Sequence, residues 1–581
     1  MRRRALLGAA LALWAAAGPV FAATGPPAVV DLCPRVRLIG PDPGLNEVEK
    51  RLVCGNDQSE GWKHIPLNES EHFMRAFLQR RGYDYPRFSV DGERLTVRVG
   101  TQTLITKLVG RGLEGLYDLG KKRGVVGKPL TPEALDELKL DVSARLQEQG
   151  YACPTVDLDA DARTGVVTVS ADPGVYYLLT YIHQPRLDGL DPGVFDRFQA
   201  HQYGYPFDIR LLDLTAERIV QQALFQSAYY DVSCSTAGLN ITQRVVEAKP
   251  HLVAVGFGVD TEGYAETRAQ WRASRLGYRA SSMEASLFAS YREQRADALM
   301  HYYLRPSDRL NLVPRATLNR DNEVPYEVAD ARASLSPNWT WDDDELHLEL
   351  LCGPVLEHIN TLRGVGPASD TFFAFETRAI VTSHLFEYYQ RDPRVGWQAG
   401  LQTSSRARGA YSDLSAQRLR LFGEKLWNVG HYDPPWLVLA DRGWAGTVIT
   451  DGDARTNTLL PPSQRFFIGG DVDLRGAQRQ ELPNDAGGFF TAVYDGLELR
   501  VNDVLPFKLD PLIFCDAAMG GRAQWSLDRD IYYSPGVGLR WASPFGVFRI
   551  SEARGTVARR TLPSDTKLPH WQFFFSFGTE F

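Results

Sequence analysis

The sequence is short of everything that would carry a helix through a membrane. After residue 22 no stretch approaches the roughly 18 consecutive apolar residues that a spanning helix needs. Basic charge is not in excess either. The 64 Lys and Arg stand against 71 Asp and Glu, a formal charge of −7, which argues against nucleic acid as a partner. Cysteine is scarce. Six in 581 residues are too few for a disulfide scaffold, and they show neither C-x-x-C spacing nor the His cluster of a metal site. Catalytic signatures are missing: there is no G-x-S-x-G and no H-E-x-x-H, and the 11 histidines are scattered. The one basic glycine-rich stretch, GKKRGVVGKP at 120–129, has the wrong spacing for a phosphate loop, and Pro129 stands where Ser or Thr is required. No enzyme and no cofactor is expected.

What is present begins with an export signal. Arg2, Arg3 and Arg4 form a basic region, and Ala5 to Ala17 is a 13-residue apolar run, too short to span. Gly18 and Pro19 break the run, and Val20-Phe21-Ala22 supplies small residues for cleavage after Ala22 or Ala23. Residues 1–22 are read as a signal peptide. Its removal takes the charge from −7 to −10 (−7 − 3). Export without a later spanning helix leaves a soluble secreted protein or a membrane β-barrel. In an oxidising compartment Cys33 and Cys54, close in sequence within one small domain, are the pair expected to be joined.

The amino-terminal half repeats. NESEHFMRAFLQRRGY ends at Gly82-Tyr83, TPEALDELKLDVSARLQEQGY ends at Gly150-Tyr151, and TAERIVQQALFQSAYY passes Ala228-Tyr229 at the matching place. The spacings are 68 (150 − 82) and 78 (228 − 150) residues, the size of a small domain. In the second copy Thr131 suits the helix N-cap and Pro132 the first turn, while Leu135, Leu138, Val142 and Leu146 form one apolar stripe. Each copy has a strand before the helix (PRVRLIG, TLITKLVG, VYYLLTYIH), room for a second helix such as LNEVEKRLVC, and two strands after it. The order β-α-α-β-β is therefore expected three times, over 28–99, 100–175 and 176–248, each an α+β layer.

From His251 the period changes to two. In ELHLELL, Leu346, Leu348 and Leu350 share one face and Glu345, His347 and Glu349 the other. In DGLELRV, Leu497, Leu499 and Val501 oppose Glu498 and Arg500. About sixteen such strands, from 251–260 to 570–581, predict an all-β, antiparallel transmembrane barrel over 249–581. The chain ends HWQFFFSFGTEF, and one register of that strand is Trp571, Phe573, Phe575 and Phe577. These are expected to face lipid, with Phe581 at an interfacial aromatic girdle. Three glycines, Gly256, Gly258 and Gly578, fall on the first and last strands, where they weaken pairing or relieve curvature at a barrel corner.

Between the eleventh and twelfth strands, Leu474-Arg475-Gly476-Ala477 resembles the sixth-loop signature of the Omp85 superfamily, an apolar residue, Arg-Gly and an aromatic; Ala477 departs from it. Phe514-Cys515-Asp516 resembles the superfamily's Phe-x-Asp motif, and the aromatic terminal strand with Phe581 resembles an outer-membrane β-signal. Arg475 can bond Asp516 bidentately in a partly dry lumen, with Gly476 allowing the turn that presents it. The repeats resemble POTRA domains, and three of them before a sixteen-stranded barrel resemble the TamA-like branch. That resemblance implies an outer-membrane assembly factor of a Gram-negative cell, with its POTRA domains in the periplasm. It would insert barrel proteins such as autotransporters, work with a TamB-like inner-membrane-anchored partner and meet outer-membrane lipids. It also implies that client strands are templated at the seam between first and last strands. The alternative is an exporter of the two-partner-secretion type or a porin-like channel, for which the lumen is the conduit.

If each repeat buries its own helix-on-sheet core, residues 23–248 expressed alone give a soluble, folded fragment. Circular dichroism and size-exclusion chromatography check this; an aggregated or unfolded fragment contradicts it.

Overall fold

The computed structural model describes residues 28–56, 65–236, 238–389, 392–451, 456–485, 487–543, 546–558 and 567–578. The expected signal peptide and Phe581 lie outside them. Two compact units are distinguished. The first takes the described residues up to Glu114 together with 124–142 and 156–171; the second takes the rest.

In the first unit β1 (Val29–Cys33), β2 (Val36–Ile39), β3 (Arg87–Asp91) and β4 (Arg94–Arg98) form a sheet of order β1-β2-β4-β3, with β2 and β4 parallel. Two helices accompany it, α1 (Glu47–Cys54) and α2 (Leu67–Gln79). Helix α1 starts with a capping box, Asn46 and Glu49 each accepting from the other's backbone N–H at 2.9 Å. Val36, Leu38, Val53, Met74, Leu78, Leu95 and Val97 form the core, and Cys33 is bonded to Cys54. A second sheet, of order β5-β7-β6, consists of β5 (Lys107–Arg111), β6 (Thr155–Asp161) and β7 (Val166–Asp172), accompanied by α3 (Pro132–Gln147). Thr131 caps α3, its hydroxyl accepting from Ala134 N at 3.1 Å, and Leu138, Val142 and Leu146 are buried along one face.

The second unit contains α4 (Ile209–Gln221), β8 (Phe225–Ser235) and β9 (Gly238–Glu247). Here the expectations need correction. The third helix ends at Gln221, and 225–230 is strand. Gly82 (φ 79°) and Gly150 (φ 100°) take the left-handed position beyond the first two repeat helices; Ala223 (φ 54°) takes it in the third. The true spacing there is 73 residues (223 − 150). The second helix expected in copies two and three is reduced to single turns, at 119–121 and at 192–198. In copy two, left-handed glycines at 112, 115, 124 and 127 break the segment. The strand expected at VYYLLTYIH is reduced to two bridges, because its backbone divides its bonds between Tyr205 and the β9 edge. A second disulfide, Cys153–Cys234, closes a separation of 81 residues that gave no local signal.

Sixteen strands then close into an antiparallel barrel. In chain order they are β10 (His251–Asp260), β11 (Tyr264–Leu276), β12 (Ser281–Ala289), β13 (Glu293–Tyr303), β14 (Leu310–Asn322), β15 (Glu327–Asp342), β16 (Leu346–Arg363), β17 (Ser369–Ser383), β18 (Gly396–Arg406), β19 (Ala416–Asn428), β20 (Leu437–Thr450), β21 (Thr491–Val501), β22 (Leu509–Gly521), β23 (Ile531–Ser543), β24 (Gly546–Ala558) and β25 (His570–Gly578). Alternation sorts the two faces. On β15, Asp330, Arg332 and Ser334 line an inner chamber of about 480 Å³ with Arg295, Glu357 and Glu376. Their neighbours Ala331 and Ala333 join Leu287, Leu318 and Leu356 on the apolar outer wall.

The third repeat is fixed to the barrel rim. Arg218 of α4 donates through Nε and Nη2 to Glu387, both at 2.6 Å, and lies 2.8 Å from Asp342 at the end of β15. Glu387 sits on α5 (His384–Tyr388), in the connection between β17 and β18. Arg309 also donates to Asp342. Beside this cluster His201 is buried. Its Nδ1 lies 3.3 Å from the Thr215 hydroxyl, which itself donates to Leu211 O, so Nδ1 carries the proton and Nε2 has no partner among the described residues. Burial, and then the nearby Arg309 and Arg218 charges, push its pKa down to about 3. A depressed histidine stabilises the fold above its unfolded pKa of about 6.5 and withdraws that stability as pH falls toward 3. From pH 7 to 5, the opening free energy of α4, read by hydrogen exchange in the full chain, should fall by on the order of 2 kcal/mol. His201→Phe should flatten that dependence; an unchanged slope contradicts the assignment.

Candidate functional site

The connection from β20 to β21 folds back on itself. Phe466 bridges Phe489 and Ile468 bridges Leu482. With Leu474, Ala477 and Phe490 these residues are buried against Trp444, Val448, Tyr494, Ala518 and Tyr532 of the barrel strands. The loop therefore carries its own apolar core to the inner wall. Arg475 is fixed at its tip, 2% exposed, against Asp516, 0% exposed. Arg475 donates from Nε (2.9 Å) and Nη2 (2.8 Å) to the two Asp516 oxygens, and its backbone N–H donates to the same carboxylate at 3.1 Å. Such a fork is the strongest geometry a guanidinium offers. Phe514, two residues before Asp516 and so on the same strand face, lies 3.3 Å beneath the guanidinium carbon.

A second carboxylate shares the charge. Arg475 Nη1 donates to Glu498 at 2.5 Å, Arg500 donates to the other Glu498 oxygen at 2.5 Å, and Ser534 and Tyr494 donate to Asp516 at 3.3 and 3.4 Å. Glu498, Arg500, Tyr494 and Ser534 are partners that sequence reasoning missed. Glu498 and Arg500 did stand out as charges on the inner register of DGLELRV, but nothing local paired them with Arg475. The reading of Gly476 changes as well. Its φ is ordinary, and the positive-φ residues among the described residues of the loop are Gly469, Gly470, Gln480 and Gly488. A Cβ on Gly476 would lie 2.3 Å from Gly555 N and 2.5 Å from Ser534 Cβ, so it is glycine because the loop presses against β24 and β23.

The second feature is the seam. Neighbouring strands elsewhere pair along most of their length, β16 and β17 through fifteen residue pairs. Strands β10 and β25 share two among the described residues, Val259 with Phe577 and Asp260 with Ser576. Thr261 adds a backbone bond to Phe575 O at 2.9 Å and accepts Phe575 N–H on its hydroxyl at 3.2 Å. From His251 to Gly258, β10 has ladder partners only on β11 among the described residues. Gly258 lies at the junction, where a Cβ would sit 3.2 Å from Phe577 O; Gly256 pairs with Arg268, and Gly578 with Val547 of β24. On β25, Trp571 and Phe573 are exposed, Phe575 and Phe577 half-buried, and Phe574 turns inward. Phe577 stacks on Phe548 at 4.1 Å.

This combination, α+β repeats before a closed sixteen-stranded antiparallel barrel with an inwardly anchored loop, defines the protein's class by its architecture. Residues 387–581, which contain the loop, the Arg475–Asp516 pair and the last strand, match the Omp85 superfamily domain. No curated protein matches the chain. Among solved structures, BamA from Haemophilus ducreyi lacking POTRA domains 1–3 is similar in fold, at 15% identity and a TM-score of 0.50, over 82% of this chain and 99% of that one. CdiB from Acinetobacter baumannii (11% identity, 82% of this chain, 90% of that one, TM-score 0.45) and CdiB from Escherichia coli (13%, 87%, 95%, 0.46) are also similar.

Removing one partner of a buried ion pair costs about 3–5 kcal/mol. Arg475→Ala leaves Asp516 without its guanidinium and Glu498 with Arg500 alone, and should destabilise the barrel more than Asp516→Ala, which leaves Arg475 its Glu498 contact, while the double variant should be little worse than Arg475→Ala. Denaturant unfolding checks this as a double-mutant cycle; additive losses contradict the pairing.

Proposed function

We propose that the chain is an outer-membrane assembly factor of a Gram-negative cell, with its POTRA modules in the periplasm, that helps insert barrel proteins, autotransporters among them. The observation that carries this reading is the seam, where β10 and β25 share two residue pairs among the described residues. A strand edge such as that of β10 can accept an incoming strand by backbone hydrogen bonding alone, whatever the client's side chains. The anchored loop supports the same reading, because it fills lumen space that a polypeptide or solute conduit would need. A TamB-like inner-membrane-anchored partner delivering clients or lipids across the periplasm belongs to the proposal.

A disulfide engineered at Val259 and Phe577 should abolish insertion of a barrel client into vesicles carrying the protein, and reductant should restore it. A disulfide between the mid-wall pair Ala298 and Ala316 should be harmless. Full activity with the seam locked contradicts the proposal.

A further inference from the structure

At the periplasmic end of the wall, outside the lumen, lies a cleft of about 520 Å³. One side is barrel: Leu346 begins β16, Trp397 is the second residue of β18, and Lys425 and Trp427 stand near the end of β19. Cross-strand pairing puts Trp397 directly opposite Lys425, on the same outer face as Ala399 and Leu401. The other side is Leu211 and Leu214 of α4 with Leu385 and Tyr388 of α5, held there by the Arg218–Glu387 pair. The lining is mostly apolar and the volume is that of a small-ligand site, too small for a partner domain.

Nine of its nineteen lining residues are polar, among them Arg210, His384 and Lys425. Lys425 has no carboxylate oxygen within 4 Å among the described residues; its ammonium sits 5.2 Å from the Trp427 ring centre, although Asp441 faces it across the ladder. Arg210 is already held by Asp208 at 2.8 Å. His384, 5% exposed, also lines the cleft; its Nε2 meets Asp342 at 3.1 Å and its Nδ1 has no partner among the described residues. Such a buried, unpartnered nitrogen is costly unless something completes it. Asp344 and Glu345 also line the cleft.

The geometry points to a binding site for a glycerophospholipid of the periplasmic leaflet, with an acyl chain in the cleft and the headgroup phosphate at Lys425. Continuity selects this occupant. The apolar side of the cleft is the lipid-facing wall itself, and the tryptophans at the strand ends stand at headgroup depth. A phosphate is what a lysine without a carboxylate partner at that depth recognises, and the Asp344 and Glu345 carboxylates of the lining suit an ammonium headgroup. The inference rests on the barrel lying in a bilayer, not on its role in assembly, so a failed insertion assay leaves it standing.

The test uses the full chain in nanodiscs of mixed phosphatidylethanolamine and phosphatidylglycerol, released for native mass spectrometry. One phospholipid should stay bound, phosphatidylethanolamine in preference. Lys425→Glu and the cleft-filling Leu385→Trp should each lower its retention about tenfold, the worth of one charge-assisted contact. Arg320→Glu, on the outer face at the far end of β14, should not. In the unmodified chain, a phospholipid with a photoreactive acyl tail should crosslink to residues 384–388 and Trp397, which keeps the test independent of variant folding. Equal retention in all variants, crosslinks spread evenly around the wall, or a copurifying peptide in place of lipid would overturn the inference.

Discussion

A backbone amide in hydrocarbon has no water to turn to, and leaving it unpaired costs several kcal/mol. This constraint explains most of the carboxy-terminal half. It dictates strands, their closure, and an alternation in which the lumen takes Asp330, Arg332 and Glu357 while the wall takes Ala331, Ala333 and Leu356. It also makes the exception informative. Among the described residues, strands β10 and β25 meet through two residue pairs and the rest of the β10 edge lacks a strand partner. A seam paired so sparingly among the described residues is the place in the wall where an added strand can satisfy both itself and its host.

Weak closure needs stiffness elsewhere. The loop between β20 and β21 supplies it by pressing an apolar core and a buried guanidinium against the wall formed by β20 to β23. Arg475 ties together Asp516 on β22 and Glu498 on β21, and Gly476 lets the loop touch Gly555 on β24. At the opposite rim, Arg218 and Asp342 fix the third repeat to the barrel. The strands flanking the seam on the β25 side are thus braced from inside, while β10 to β12 are not part of that core.

How much of this could be read from the chain depends on how local each signal is. The sixteen strands were legible because alternation is written into each one separately, and the first two repeat helices because Gly82 and Gly150 mark their ends. The third was misplaced because Ala223 adopts the conformation usually left to glycine. Arg475 and Asp516 could be singled out through motif resemblance, but Glu498, Tyr494 and Ser534 join them only through the ladder registers that stack β21, β22 and β23. The Cys153–Cys234 bridge and the Arg218 cluster link residues 81 and more than 100 positions apart, and composition carries no trace of them.

The central claim is that the seam is the weakest pairing in the wall. Hydrogen–deuterium exchange of the full chain in nanodiscs tests it directly. The account predicts that amides of β10 from His251 to Gly258 exchange fast, well ahead of the central strands β14 to β17. Equal, slow exchange in β10 and β16 would contradict it.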